Sequence, residues 1–194
     1  MQVIEKMSTT SLYIKEPGLN VLPPGVERYT VTGGGITGIQ ILPDDEIEII
    51  NNEGNQICEI SIFNKEGKSD LSILNLKEIK KESEIKKILL KKDESSLTAL
   101  YQLKKRNLDI AKTKSSIVFD KDTNWGEKVK LKSKDKCYCI FAAPGPEMLI
   151  HEQTPPTDLT IFIKRAKISK DKEHTVIPEP MYDPLNETNI DRKT

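Results

Sequence analysis

Neither sign of charge is in excess in this chain: 30 lysines and arginines balance 30 aspartates and glutamates over 194 residues. A nucleic-acid or anionic-membrane surface needs a basic surplus, so neither partner is expected. No run approaches the roughly 18 apolar residues of a membrane-spanning helix. The first residues, MQVIEKMSTTSLYIKEPG, lack the apolar core of a signal peptide, which points to the cytoplasm rather than export. Cysteine is scarce: Cys58, Cys137 and Cys139 are an odd number without the spacing of a disulfide framework, which suits a reducing compartment. The two histidines, His151 and His174, form no H-x-x-x-H or H-E-x-x-H pair. The G-x-S-x-G, P-loop, dinucleotide-binding and kinase signatures are also missing. Apolar residues make up only 36% of the chain, low for a large core, which implies long polar segments or surfaces that meet another domain.

What is present is mostly β pattern. From Gly33 to Phe63, apolar and polar residues alternate in three runs, separated by Pro43-Asp44-Asp45 and by Asn52-Glu53-Gly54-Asn55. Period-2 alternation bounded by turn residues predicts strands, here a three-strand meander with an apolar face inward and a charged face outward. Residues 27–32 form a strand before the meander, and Ser11 to Ile14 could form a short one. After Phe63 the texture changes. Residues 77–92 are rich in Lys, Glu, Ile and Leu and place Ile79, Ile85, Ile88 and Leu89 roughly on one helical face. A second helix starts near Asp93 or Ser95, with Leu97, Leu100, Tyr101 and Leu108 at helical period. Strands return at 117–119, 127–131, 136–142, 148–152 and 159–164. The expected fold is mainly β (α+β): a sandwich or barrel-like pair of antiparallel sheets with two helices inserted at about 77–110. Residues 1–168 form that domain. Residues 169–194, with Pro178, Pro180 and Pro184 among acids, read as an extended linker or arm to a following domain.

Several groups could carry chemistry, and each has a plainer reading. Gly33-Gly34-Gly35 could cradle a phosphate, but a strand follows instead of a helix N-terminus, which favours a turn or bulge. Cys58, Cys137 and Cys139 could bind zinc with one open position, or be buried apolar thiols. His151 and His174 are surface residues or parts of a site assembled from distant segments. Asp44-Asp45 and the Asp120/Asp122 pair are turn signatures before they are paired carboxylates. Trp125 is expected as a packed turn aromatic. Lys104, Lys105 and Arg106 suit a helix C-terminus, or an anion. No position is assigned as catalytic, cofactor-binding or metal-binding.

Asp45-Glu46-Ile47-Glu48-Ile49, Glu53-Gly54-Asn55-Gln56 and Phe63-Asn64, with Leu22-Pro23-Pro24-Gly25 and Tyr29-Thr30-Val31 ahead of them, resemble the urea carboxylase-associated domain family. That family's metal-binding segments, of the D-T-x-G-R-H-D kind, have no counterpart here, so its metal site transfers to no position. The longer pattern, ERYTVTGGGIT, EGNQICE, FDKDT, KDKCYCIFAAPG and EHTVIPEP, resembles the N-terminal region of bacterial fusions of the trimethylamine-N-oxide demethylase type. In those, a metal domain precedes a tetrahydrofolate-binding aminomethyltransferase domain. The resemblance implies a non-catalytic accessory domain of a one-carbon enzyme. The metal ion and tetrahydrofolate would then lie in following domains of the same chain, which are its expected partners; self-association stays open. The alternative is a free-standing small-ligand or metal-binding β protein using Cys58, Cys137 and Cys139.

Overall fold

The computed structural model describes residues 22–79, 83–90, 94–145 and 155–166. Among these residues, eight strands form two four-stranded antiparallel sheets: β1 (Val26–Val31), β2 (Ile36–Ile41), β3 (Glu46–Asn51), β4 (Cys58–Asn64), β5 (Ser115–Phe119), β6 (Lys128–Lys132), β7 (Cys137–Ala142) and β8 (Leu159–Lys164). One sheet runs β1-β8-β3-β6 and the other β2-β7-β4-β5. They form a sandwich, and among the described residues no barrel closes. A short 3-10 turn, Leu71–Leu74, and helices α1 (Glu84–Leu90) and α2 (Glu94–Lys105) fill the middle of the chain. No described helix is long and apolar enough to cross a membrane.

The inner faces of the sheets share one core. Alternation turns Ile47 and Ile49 of β3, Ile60 and Ile62 of β4, Cys139 and Phe141 of β7 and Ile161 of β8 into it, all fully buried as their period-2 spacing requires. The outer face of β2-β7-β4-β5 is apolar too. Ile36, Phe63, Ile140 and Ala142 meet Ile85 and Leu89 of α1 and Leu103 of α2 in a second buried cluster. The molecule is therefore three layers deep on this side. Among the described residues no helix covers the outer face of β1-β8-β3-β6, which carries Glu46, Glu48, Lys128, Lys130 and Lys132.

Three expectations are corrected. The run from Gly33 to Phe63 is not a meander, because β2 pairs with β7, β3 with β6 and β8, and β4 with β5 and β7. Each turn carries the chain from one sheet to the other, and alternation looks the same whether a strand returns beside its neighbour or crosses over. The charged face of β4 is not wet: Glu59 and Ser61 are buried beneath the helices. The helices are also shorter and differently turned than their spacing predicts. Residues 76–79 are non-helical, and the Ile79 N–H bonds to the Ser115 carbonyl instead. On α2, Leu103 faces the sheet while Leu97 and Tyr101 point outward, 54% and 65% exposed. So the helices do hold core residues. The expected strands at 11–14 and 148–152, the arm at 169–194, His151 and His174 lie outside the described residues.

Candidate functional site

The residues flagged by sequence mostly prove to build the fold. Gly34 has φ +78 and donates its N–H to the Ala143 carbonyl at 2.7 Å. A Cβ on Gly33 would overlap the Pro156 carbonyl oxygen, and the Gly33 N–H donates to Asp158 Oδ1 at 2.9 Å. The glycines thus permit a close backbone approach between segments, which no side chain would allow. Asp120 Oδ1 accepts the Asp122 N–H at 2.9 Å, closing a turn. Trp125 does not pack into its turn and stands 79% exposed. Lys104 and Lys105 are exposed, while the Arg106 guanidinium lies 5.1 Å over the Tyr138 ring and its Nε donates to the Tyr138 hydroxyl.

The Glu53-Gly54-Asn55-Gln56 stretch makes a knot. Gly54 and Asn55 take left-handed φ values of 78° and 56°, which bend the chain sharply. Gln56 Nε2 donates to the Pro144 carbonyl at 2.9 Å and its Oε1 accepts the Thr157 N–H at 2.7 Å. Asn51 Nδ2 donates to the Gln56 carbonyl at 2.8 Å. Gln56, through its side chain and its carbonyl, thus ties the exit of β3, the end of β7 and the approach to β8.

The cysteines do not converge as a trio. Cys58 opens β4 opposite Phe119, whereas Cys139 lies opposite Ile62 and Cys137 opposite Asn64, farther along the same strand. A three-thiolate site of these residues is therefore not formed. Cys137 and Cys139 do meet: alternation puts both on one face, with Sγ atoms 3.7 Å apart, and Ser133 Oγ is 3.8 Å from Cys137. A hydrogen bond from Cys139, working against burial and helped by Ser133, holds the Cys137 thiol below its ordinary value. Burial, and then the neighbouring Cys137, push Cys139 well above it. Burial, and then the neighbouring Glu59 carboxylate, push the Cys58 thiol far above its ordinary value. A thiol that stays protonated is a poor nucleophile.

Two buried charge clusters had gone unread. Arg165 lies inside the sandwich's end. Its Nη1 donates to Asp45 Oδ2 at 2.6 Å and to the Gln40 carbonyl at 3.1 Å, and its Nε donates to Glu27 Oε1 at 2.8 Å. Asp45 Oδ2 also accepts the Leu42 N–H at 2.9 Å and Oδ1 the Ala166 N–H at 3.0 Å. The Tyr29 hydroxyl donates to Glu27 at 2.8 Å, and burial first, then that bond, raises its pKa. Burial opposes the charge on Arg165, but its bonds to Glu27 and Asp45 outweigh burial and raise its pKa. Asp45 is thus a buried anchor, not an exposed turn acid. The period-2 pattern of I-F-I-K-R was the available signal, since it sets Arg165 on the face of Ile161 and Ile163. The second cluster is Glu59, whose Oε1 accepts from Ser83 Oγ at 2.6 Å and whose Oε2 accepts the Glu84 N–H at 2.7 Å at the start of α1. A carboxylate there satisfies a free donor of the helix end.

With these side chains committed to structure, a further candidate surface among the described residues is the outer face of the β1-β8-β3-β6 sheet, over which no described helix lies. Phe162 of β8 is only half-buried there, opposite Glu48 in register. Around it lies a groove of about 680 Å³. Its rim charges are paired: Lys130 with Glu48 and Lys164 with Glu46 at 3.4 Å each.

Fold and surface together define a two-sheet β domain with helices over one outer face and, among the described residues, none over the other. No family model matches the chain, so the likeness to the urea carboxylase-associated family rests on the residues that carry it. Over 181 residues, 93% of this chain, the sequence is 30% identical to the trimethylamine-oxide aldolase of Ruegeria pomeroyi. The chain spans 23% of that protein's length.

Proposed function

We propose that this chain is a non-catalytic accessory domain for an enzyme acting on trimethylamine N-oxide. The alignment carries the reading: almost all of this chain corresponds to a minor part of a trimethylamine-oxide aldolase. The buried acids support it, since Asp45 and Glu59 already serve as structural partners. Leu97 and Tyr101, one turn apart on the outer side of α2, offer an apolar patch of the kind that rests against another domain. In the fuller form of this proposal, a metal ion and tetrahydrofolate are held by following domains, the residues after 168 link to them, and the assembly works in the cytoplasm.

The test is direct. The purified chain is incubated with trimethylamine N-oxide, and the substrate is followed by NMR. The accessory reading expects no consumption above the buffer blank, with or without added zinc, iron or tetrahydrofolate. Catalytic consumption by the chain alone overturns it. Metal analysis of the same protein is the second arm: stoichiometric zinc or iron would instead make it a metal-binding protein in its own right.

A further inference from the structure

Two of the three thiols form a pair on a central strand. Cys137 and Cys139 stand two residues apart on β7, which lies between β2 and β4, so both side chains leave the backbone on one face. Their Sγ atoms are 3.7 Å apart, and Ser133 Oγ lies 3.8 Å from Cys137 Sγ. The flanking strands hold the backbone in place: Cys137 pairs with Ile41 and Asn64, and Cys139 with Ile39 and Ile62. Cys58 opens β4 opposite Phe119, away from this pair. The two thiols are also unequal. A hydrogen bond from Cys139 holds Cys137 below its ordinary value, while burial holds Cys139 well above its own. The thiolate therefore forms first at Cys137, at the strand end beside the exposed Lys134, Asp135 and Lys136, and its protonated neighbour lies deeper in the core.

We propose that Cys137 and Cys139 are a redox-active dithiol, closed to a disulfide by hydrogen peroxide and reopened by a thiol reductant. The Cys137 thiolate attacks one peroxide oxygen, the O–O bond breaks, and hydroxide leaves, which makes Cys137 a sulfenic acid. Cys139 Sγ then attacks the sulfenic sulfur. An S–S bond forms, the S–O bond breaks, and the oxygen leaves as water with the Cys139 proton. Two thiols and one hydrogen peroxide thus give one disulfide and two waters, with both sulfurs oxidised and both peroxide oxygens reduced. The backbone permits the bond, because residues two apart in a strand have Cα atoms about 6.6 Å apart. That lies at the upper end of the disulfide range of roughly 4.4–6.8 Å. A disulfide at this limit is strained, and strained disulfides are the readily reduced kind. It would enclose only Tyr138, so it restricts the unfolded chain too little to serve as a structural staple. Both thiols are buried, which selects a small oxidant entering at the strand end. This inference does not rest on the accessory-domain reading.

The test uses the full chain. It is treated with hydrogen peroxide at a dose that fully oxidises free cysteine, then unfolded and alkylated with iodoacetamide, and the digest is read by mass spectrometry. The untreated chain should take an alkyl group on each of its three cysteines, and the oxidised chain on Cys58 alone. The peptide that carries both Cys137 and Cys139 should be lighter by about 2 Da, the two hydrogens lost, and dithiothreitol should restore it. Three alkyl groups after peroxide overturn the proposal. So does sulfinic acid at Cys137 with no disulfide, or a disulfide to Cys58 or to a second chain. In Cys139→Ala, Cys137 should stop at the sulfenic or sulfinic acid. The measurement on the unaltered chain decides the matter even where that variant folds poorly.

Discussion

Asp45 and Arg165 stand 120 positions apart in the chain and 2.6 Å apart in the fold. Asp45 belongs to the turn leading into β3 and Arg165 follows β8, so the pair clamps neighbouring strands at one end of the sandwich. Both side chains are almost completely buried, 1% and 7% exposed. Removing Asp45 leaves Arg165 Nη1 and the N–H groups of Leu42 and Ala166 without this acceptor, while Glu27 still pairs the guanidinium. Asp45→Ala should therefore cost about 1–3 kcal/mol for the unsatisfied buried donors. Urea denaturation reads this, and Asp45→Ala combined with Arg165→Met should cost less than the sum of the single changes. Additive losses would mean that the pair is not coupled.

Alkaline conditions should weaken the fold. Burial raises the pKa of Cys58 and Cys139 above the ordinary 9.0 of a thiol, and that of Tyr29 above the ordinary 10.0. The folded chain then keeps protons that the unfolded chain releases, so stability is complete below pH 9 and falls as pH rises beyond it. Each retained proton contributes a slope of about 1.4 kcal/mol per pH unit. Cys137, shifted the other way, offsets part of this. Tyr29→Phe should remove about one proton's slope above pH 10 in urea titrations run from pH 8 to 11. A flat profile over that range would contradict the burial of these groups.

Gly33→Ala should be far worse than an ordinary glycine change. The new methyl would meet the backbone carbonyl of Pro156, which cannot rotate away as a side chain could. Gly35→Ala is the control, since its nearest backbone neighbour, Thr32 O, lies 3.1 Å from the added carbon. Thermal melts should show Gly33→Ala well below Gly35→Ala. Equal melting temperatures would mean that the Pro156 segment can move aside.

Ile60→Ala and Leu89→Ala should both fall in the range of about 2–5 kcal/mol, because each side chain is fully enclosed, one between the sheets and one beneath α1. Ile88→Ala should cost less, since Ile88 is only half-buried. Chemical denaturation of the three variants checks the order. A small effect at Leu89 alone would return the helices to the periphery.

Glu59→Ala should loosen α1 in particular. It leaves the Ser83 hydroxyl and the Glu84 N–H without their partner, at about 1–3 kcal/mol for unsatisfied buried groups. Hydrogen exchange should speed up across residues 84–90 more than across β7. Uniform acceleration would assign Glu59 to the sheet rather than to the helix start.

The sequence by itself determined where most strands run. The alternation of 159–164 matches β8 in full, and those of 136–142 and 127–131 fall within a residue of β7 and β6. That works because period 2 is a local property: each residue's face follows from its neighbours in the strand. It also determined the buried identities of Ile49, Ile60, Phe141 and Ile161, and the positions of the turns at Asp44 and Gly54. Only the tertiary structure decided which strands pair. A turn such as 42–45 serves a return or a crossover equally well, and the choice rests on β6, β7 and β8, which arrive about eighty residues or more after β3 begins. The same holds for Glu59, Asp45 and Arg165. An acid in a strand is wet by default, and it becomes buried only when a helix start or a guanidinium from elsewhere in the chain supplies the hydrogen bonds that replace water. Phe162 reads as one more apolar strand residue; the tertiary structure, with no described helix over its sheet, leaves it half-buried in the lining of a groove.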